Sequence, residues 1–244
     1  MITGVTRGLG RALVDEFVRL GHTVFCCART RPEIKELAQR YPDNDFQVVD
    51  VAVDKDVQAW AAHVSERHGA PDLVLNNAAI INDRAFLWEV PDRELSDMLN
   101  INVGGVCNVV RHFVPYLVRR RRGVIVNFSS RWGQFIEERM APYCATKWAI
   151  VALTRILAAE LKPKGVVAVG LNPGVINTPM LRKYLCQNAA TTAGNYPSPE
   201  EWARSAAPFI LNLSMKDSGR VRRILALSPM RSVRRLATHS IKNS

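Results

Sequence analysis

Short apolar segments alternate with helical segments along almost the whole chain, and this alternation constrains the fold more than any other feature. The apolar segments that predict strands are residues 1–3, 23–27, 46–50, 73–76, 124–128 and 166–172. The longest helical patterns are residues 8–20, 95–119 and 141–161. Strands that alternate with helices form a parallel sheet covered on both faces. We therefore predict an α/β chain with a doubly wound parallel sheet and helices on both faces.

Length and composition favour a single domain. The chain has 244 residues, 48% of them hydrophobic, and no apolar run reaches the roughly 18 residues that cross a bilayer. It starts almost directly at a glycine-rich loop, which leaves no room for a secretory signal. The odd number of cysteines, without metal-ligand spacing, indicates reduced thiols. They are Cys26, Cys27, Cys107, Cys144 and Cys186. We expect a soluble, cytoplasmic protein with no metal ion.

The net charge of +11 is concentrated at the C-terminal end. Residues 219–244 carry seven basic residues and no acidic one, whereas the rest of the chain is close to balanced. The four arginines at 119–122 follow an apolar helix, where cations complement the dipole of the helix C-terminus, so we interpret them as a solvated helix end. We expect a folded domain over residues 1–218 and an irregular basic tail over residues 219–244.

Three glycines stand between the first predicted strand and the first predicted helix. Gly4, Gly8 and Gly10 would let the backbone turn tightly and approach a pyrophosphate, with the helix N-terminus directed at the anion. Their Gly-x-x-x-Gly-x-Gly spacing differs from the commoner Gly-x-Gly-x-x-Gly fingerprint, and such a turn is also compatible with a plain tight connection. The position between a strand and a helix favours a dinucleotide site.

The end of the second predicted strand indicates which dinucleotide is bound. Ala28 and Arg29 stand where an acidic residue would otherwise bind the adenosine ribose. An arginine suits a 2′-phosphate, and Arg7 in the glycine loop adds a second cation, so we predict NADP(H) rather than NAD(H). The alternative is that both arginines are solvated surface charges. Asp50 and Val51 are expected to flank the adenine.

Tyr143 and Lys147 lie four residues apart in a predicted helix, thirteen residues after Ser130. Positions i and i+4 share one helix face, so the Lys147 ammonium can lower the pKa of the Tyr143 phenol and also reach a cofactor ribose. This pattern is typical of NAD(P)-dependent carbonyl chemistry. Asn102 interrupts an apolar helix, and the alternative for this amide is a bond to its own backbone. Ser130 could likewise be a simple helix cap.

In their order and spacing these motifs resemble the short-chain dehydrogenase/reductase family, up to about residue 217. The segments that carry the resemblance are Thr3-Gly4, Gly8-Leu9-Gly10, Asp50-Val51, Asn76-Asn77-Ala78, Asn102, Ser130, Tyr143, Lys147 and Pro173-Gly174. Ala79 stands where the family has a glycine. The resemblance implies one Rossmann-fold domain and an NADPH-dependent oxidoreductase, a carbonyl reductase that converts an aldehyde or ketone to an alcohol.

The resemblance also implies a role for each site residue. Tyr143 is the acid/base, Lys147 lowers its pKa and binds the nicotinamide ribose, Ser130 stabilises the substrate oxygen, and Asn102 anchors a proton-relay water. The cofactor-binding residues that it implies are Gly4, Thr6, Arg7, Gly8, Leu9, Gly10, Arg29, Asp50, Val51, Asn76, Ala78, Tyr143, Lys147, Pro173, Gly174, Ile176 and Thr178.

Within the family the chain is most similar to NADPH-dependent pterin aldehyde reductases, through segments such as Trp88-Glu89-Val90 and Trp148-Ala149-Ile150. We therefore expect a small-molecule carbonyl substrate, with a pterin aldehyde as one candidate. The residues expected to line the substrate side are Ile80, Ile81, Trp132, Phe135 and residues 180–199. A flat aromatic aldehyde could stack on such a wall, although a tryptophan there is equally compatible with plain core packing.

Both ends of the chain depart from the family. Gly4 follows only three residues, so we expect a shortened first strand, and after residue 218 the basic tail replaces the expected last strand. We hypothesise an alternative or incomplete gene product. Homo-oligomers are usual in the family, but the altered end removes one of the segments that build such contacts.

Three functions stay open at this point. An active reductase is favoured because all four catalytic residues are present. The second is a non-catalytic, NADP-binding regulatory member or truncated isoform, suggested by the two ends. The third, a nucleic-acid or acidic-membrane binder, rests on residues 219–244, which lack the interleaved aromatic residues of such sites. We therefore expect neither a nucleic-acid nor a membrane partner.

Overall fold

A computed structural model describes residues 1–185 and 193–224, which form one seven-stranded sheet. Every neighbouring pair of strands is parallel, in the order β3-β2-β1-β4-β5-β6-β7. The strands are β1 Ile2–Thr3, β2 Phe25–Ala28, β3 Asp45–Val48, β4 Leu73–Asn76, β5 Gly123–Phe128, β6 Val166–Asn172 and β7 Val221–Arg223. The order in which strands are added to the sheet reverses between β1 and β4, and open α/β sheets bind ligands beyond the strand ends at such a point.

Helices cover both faces of this sheet. They are α1 Gly8–Arg19, α2 Arg31–Arg40, α3 Asp54–His68, α4 Asp92–Leu99, α5 Gly105–Arg120, α6 Ala141–Leu161, α7 Pro179–Leu185 and α8 Pro199–Leu211. Leu13 of α1 and Trp202 of α8 belong to one buried cluster, and Trp60 of α3, Phe113 of α5 and Leu161 of α6 belong to another. Successive residues of a strand belong alternately to the two clusters, because their side chains point to opposite faces of the sheet. The predicted doubly wound α/β fold is confirmed.

All six predicted strands are present; β4 and β6 have the predicted ends, and the other four are shifted by one or two residues at an end. The second begins at Phe25 rather than at residue 23, because the amide of Val24 donates to the side chain of Asn44, at 2.8 Å, instead of to a neighbouring strand. The helix predicted over residues 95–119 is interrupted. A π-helical turn at Asn100–Gly104 separates α4 from α5, and this turn carries Asn102. Such turns occur frequently at functional sites.

The C-terminal edge of the sheet differs from the sequence-based expectation. Val221–Arg223 form the parallel edge strand β7 beside β6, and the amide of Ile224 donates to the carbonyl of Asn172 at 3.2 Å. Ile224 is buried in the core. The prediction that an irregular tail begins at residue 219 is therefore wrong for residues 219–224. Charged edge strands are common, and the two arginines of β7 hid the strand from a hydrophobicity pattern. Residues 225–244 lie outside the described residues.

The first strand is short, as expected, yet it is bonded on both sides. Ile2 pairs with Cys26 of β2 and Leu75 of β4. The Met1 carbonyl accepts from the Leu75 amide at 2.9 Å, and the Gly4 amide donates to the Cys27 carbonyl at 2.8 Å. These bonds bring the glycine loop to the carboxyl edge of the sheet. In residues 1–185 and 193–224, no helix combines the length and apolarity needed to cross a membrane.

Candidate active site

The loop after β4 holds the glycine loop in place. The Thr3 hydroxyl accepts hydrogen bonds from the amides of Asn77, at 3.1 Å, and Ala78, at 3.0 Å. The Asn77 side chain returns two bonds, to the carbonyls of Thr3 at 2.9 Å and Gly4 at 3.0 Å. Thr3 and Asn77 were not predicted as site residues. Their adjacency to Gly4 and Ala78 in the sequence was the available signal.

The glycine loop is packed too closely for larger residues. Gly4 has φ +72°, and a Cβ atom there would lie 2.8 Å from the Cα of Ala78. A Cβ atom on Gly10 would lie only 2.2 Å from the carbonyl oxygen of Gly4. The first turn of α1 contains no acidic residue, and its N-cap, Arg7, makes no side-chain capping bond. The N-terminal amides of α1 therefore form a cradle without a competing carboxylate, which fits a pyrophosphate.

The residues expected at the adenosine end of the cofactor lie after β2 and β3. Arg29 is 58% exposed, and its guanidinium nitrogen lies 3.6 Å from a carboxylate oxygen of Asp50. The other Asp50 oxygen accepts from the Ala52 amide at 3.0 Å. Val51 is buried against Gly105, where an added Cβ would approach it to 2.7 Å. Asp50 thus orients Arg29, and Val51 anchors the loop after β3. Arg7 is exposed on the glycine loop.

The loop after β6 reaches the same edge. Gly174, with φ +83°, donates its amide to the side chain of Asn172 at 3.0 Å. The Thr178 amide donates to the Ile176 carbonyl at 2.8 Å, and the Thr178 methyl would lie 3.5 Å from a Cβ on Gly8. The structure therefore brings the predicted segment at 173–178 beside the glycine loop.

Asn76 has a different position from the one expected of a cofactor ligand. Its side-chain amide donates to the Asn127 side chain at 2.8 Å, and Asn127 donates to the hydroxyl of Thr154 at 2.9 Å. These three buried residues link β4, β5 and α6 inside the core. The side-chain oxygen of Asn76 has no hydrogen-bond partner among the described residues. The side-chain bonds that hold the glycine loop come instead from the neighbouring residue Asn77.

Tyr143, Lys147 and Ser130 lie together at the carboxyl edge of β5. Tyr143 and Lys147 are both buried on α6, and the Lys147 ammonium lies 5.5 Å from the centre of the Tyr143 ring. This ammonium donates to the carbonyl of Phe128, the last residue of β5, at 2.8 Å. Ser130 begins the 3₁₀ turn Arg131–Gly133, and its hydroxyl accepts from the amide of Trp132 at 3.2 Å. The predicted alternative of a helix cap therefore also holds for Ser130.

Burial dominates the electrostatics of this group. It lowers the pKa of Lys147 to about 8 and raises the pKa of Tyr143 above its ordinary value, while a hydrogen bond with Ser130 opposes the rise at Tyr143. The lowered phenol pKa expected from Lys147 is not found here, because desolvation outweighs the favourable effects. A neutral phenol is a proton donor, so the arrangement suits protonation of a substrate oxygen.

Asn102 connects the loop after β4 to the helix that carries Tyr143. Its side chain accepts from the amide of Ile80 at 2.8 Å and donates to the Ile80 carbonyl at 2.9 Å and the Thr146 hydroxyl at 3.2 Å. Thr146 in turn donates to the Tyr143 carbonyl at 2.8 Å. The alternative that this amide bonds its own backbone is wrong, since its partners lie 22 and 44 residues away.

Aromatic and sulfur-containing side chains cover the phenol of Tyr143. The ring of Trp132 stands edge to face with it at 5.8 Å, and the Tyr143 hydroxyl donates to the Met180 sulfur at 3.9 Å. Ile81 is buried in the same cluster and Ile80 packs against it, whereas Phe135 is 57% exposed. That they line the substrate side stays a prediction. Of the expected segment at 180–199, residues 186–192 lie outside the described residues.

The comparisons with known proteins agree with this geometry. The family model for short chain dehydrogenases matches residues 1–189. The chain therefore belongs to the short-chain dehydrogenase family. The predicted Rossmann domain, its nicotinamide cofactor NADP(H) and its carbonyl reductase activity are confirmed at the level of the family.

Individual relatives give finer detail. The chain is 41% identical, over 222 residues, to the NADPH-dependent pterin aldehyde reductase of Arabidopsis thaliana, covering 90% of each protein. It is 31% identical to a 3-oxoacyl-[acyl-carrier-protein] reductase of Thermotoga maritima, covering 91% of this chain and 92% of the relative. A solved gluconate 5-dehydrogenase from Burkholderia cenocepacia, in complex with NADP and tartrate, superimposes with a TM-score of 0.81 at 28% identity, covering 91% of each chain.

Proposed function

We propose that this protein uses NADPH to reduce a pterin aldehyde, or a flat aromatic aldehyde of similar shape, to the alcohol. One observation carries the proposal: the buried Tyr143 and Lys147 lie with Ser130 at the end of β5. The glycine loop, whose close packing fits a pyrophosphate, lies at the same edge of the sheet. The 41% identity to a pterin aldehyde reductase supports the choice of substrate.

When bound, the nicotinamide would supply the hydride for the carbonyl carbon. Two side chains of the protein act on the carbonyl oxygen of the substrate. The Ser130 hydroxyl holds it by a hydrogen bond, and the neutral Tyr143 phenol donates its proton as negative charge develops there. The Lys147 ammonium then stabilises the phenolate that remains, because it lies on the same helix face one turn further on.

Asn102 acts through position. Its bonds to Ile80 and Thr146 hold the loop after β4 against α6, so the carbonyl of Ile80 and the phenol keep a fixed separation. A water that bonds this carbonyl would be the proton relay expected from the family resemblance. Every polar atom of the Asn102 side chain is already bonded within the protein, so the side chain fixes the site instead of touching the substrate.

The cofactor would be held at two places. The N-terminal amides of α1 take the pyrophosphate, and Arg29 and Arg7 take the 2′-phosphate through charge-assisted hydrogen bonds. Asp50 keeps Arg29 on this side of the sheet. Of the remaining predicted residues, Leu9 lies in the first turn of α1, and the others lie in the segments after β1, β4 and β6: Thr6, Ala78, Pro173 and Ile176.

Turnover tests the proposal directly. The loss of NADPH absorbance should follow addition of 6-formylpterin to the wild type and should fall by about 100-fold or more in Tyr143→Phe, because one proton donor is removed. Tyr116→Phe, which changes a half-buried tyrosine of α5 that packs against the core cluster of Trp60 and Phe113, is the matched control and should keep wild-type turnover. Equal turnover in Tyr143→Phe and the wild type would contradict the assignment of the acid. NADPH binding without any turnover would instead favour the regulatory alternative.

Two finer expectations stay predictions. The four cysteines among the described residues are free, in keeping with a reduced, cytoplasmic location, which fractionation would test. A homo-oligomer remains an expectation of the family resemblance, and light scattering of the purified chain would test it.

A further inference from the structure

One polar cluster joins the segments that follow β4, β5 and β6, next to the hydrophobic cluster of Tyr143. Glu137 follows β5, Arg84 follows β4 and Tyr184 lies on α7 after β6. One carboxylate oxygen of Glu137 accepts both the Tyr184 hydroxyl, at 2.7 Å, and an Arg84 nitrogen, at 3.3 Å. The Arg84 guanidinium also lies 5.0 Å from the centre of the Tyr184 ring. Each member of this triangle therefore contacts the other two.

The triangle fixes Tyr184 against the aromatic wall of the site. The ring of Tyr184 lies 4.8 Å from that of Trp132, tilted by 59°, and Trp132 stands at 89° to the ring of Tyr143. Trp132 is thus held between the acid of the reaction and a tyrosine that is itself held by an ion pair. The backbone amide of Trp132 donates to the Ser130 hydroxyl, so the backbone that carries the indole is held to the residue that holds the substrate oxygen.

We propose that Tyr184 is a positioning residue that sets substrate preference, because it holds the Trp132 indole in one orientation beside Tyr143. The inference rests on the proposed reductase function. A fixed indole offers a flat carbonyl compound a preorganised surface for stacking, and no side-chain freedom has to be lost when the substrate binds. A small aliphatic aldehyde covers little of that surface and gains little from it. The site therefore favours flat aromatic aldehydes.

The test compares two aldehydes in three variants. For 6-formylpterin we expect Tyr184→Leu to raise KM about tenfold with a smaller change in kcat, since ground-state and transition-state binding fall together. For butanal we expect the KM of Tyr184→Leu to stay within about twofold of the wild type. Such a change corresponds to less binding free energy than one aromatic contact contributes. Tyr184→Phe keeps the ring and loses the bond to Glu137, so it should show an intermediate, still selective effect.

Tyr116→Leu is the matched control. The guanidinium of Arg119 lies 4.6 Å from the centre of the Tyr116 ring, so this tyrosine also contacts an arginine. It lies on α5 and packs in a different cluster from Tyr143. Its KM for both aldehydes should match the wild type. The proposal is overturned if Tyr184→Leu leaves KM for 6-formylpterin unchanged, or if it raises KM for both aldehydes equally, as general loosening of the site would. Should Tyr184→Leu fail to fold, the selectivity of Tyr184→Phe decides in the same way.

A binding measurement separates this inference from the proposed function. If the wild type reduces neither aldehyde, the reductase proposal fails, and the affinity for 6-formylpterin in the presence of NADP⁺ is measured through the fluorescence of the pterin. Weaker binding by Tyr184→Leu than by Tyr116→Leu still supports the role of Tyr184. Equal binding by both variants, or no binding by the wild type, overturns it.

Discussion

At Lys147, charge and burial oppose each other. The ammonium donates one hydrogen bond to the carbonyl of Phe128. Its burial lowers its pKa to about 8 from an ordinary value of 10.5. Between these two pH values the unfolded chain binds more protons than the folded one, so the free energy of unfolding increases with pH. A functional group thus lowers the stability of the free protein near neutral pH.

Lys147→Met removes the titrating ammonium, so comparison with the wild type should show in which direction this group changes the free energy of unfolding with pH. The free energy of unfolding of the wild type, relative to Lys147→Met, should increase by about 2 kcal/mol from pH 7.5 to pH 9.5, because the buried charge is lost over that range. Urea unfolding at the two pH values measures it, and the lost bond to Phe128 adds only a pH-independent offset. A difference that is constant or falls with pH would show that Lys147 is not desolvated in the native protein.

Arg29 provides a second test at the level of one side chain. If it binds the 2′-phosphate, Arg29→Ala should raise KM for NADPH about tenfold and leave KM for NADH nearly unchanged, since a charge-assisted bond specific to that phosphate is lost. Arg40→Ala, at the other end of the helix that follows, is the control. Equal changes with both cofactors would mean that Arg29 supports the loop through Asp50 and does not read the phosphate.

At the scale of elements, the contact between α1 and its preceding loop is the tightest part of the site. Gly10→Ala would place a methyl group against the Gly4 carbonyl and the Asn77 side chain, so the loop must move. We expect a large loss of NADPH affinity and a free energy of unfolding lower by about 1–3 kcal/mol, the usual cost of overpacking. Gly104→Ala, also helical but with its nearest atom at 3.7 Å, should be tolerated. Fluorescence titration with NADPH and urea unfolding compare the two. Unchanged affinity in Gly10→Ala would contradict the cradle.

The same elements show what the sequence could predict. The α6 helix was predicted with its observed bounds, and Tyr143 and Lys147 meet on it because their spacing is a local property. The bond between Asn77 and Gly4 and the contact between Trp132 and Tyr184 join segments far apart in the chain, so no local pattern revealed them. β7 was missed because an edge strand tolerates arginine. The pKa of Tyr143 was predicted with the wrong direction, since burial is a tertiary property.

At the scale of the whole molecule, the parallel sheet brings distant segments to one edge. The loops after β1, β4, β5 and β6 all carry residues of the site, and they meet because every strand points the same way. β7 completes this arrangement beside β6 and buries Ile224 in the core. Among the described residues, the sheet that carries the site extends to Arg223 and its core includes Ile224.

Transfer of the cofactor's hydrogen to the substrate is the measurement that tests the central claim most directly. The protein is incubated with 6-formylpterin and each stereospecifically labelled form of [4-²H]NADPH, and the alcohol is analysed by mass spectrometry. The account predicts one deuterium at the carbinol carbon with one of the two labelled forms, and almost no product in Tyr143→Phe. Alcohol that lacks deuterium with both forms, or that forms equally well in Tyr143→Phe, would contradict it.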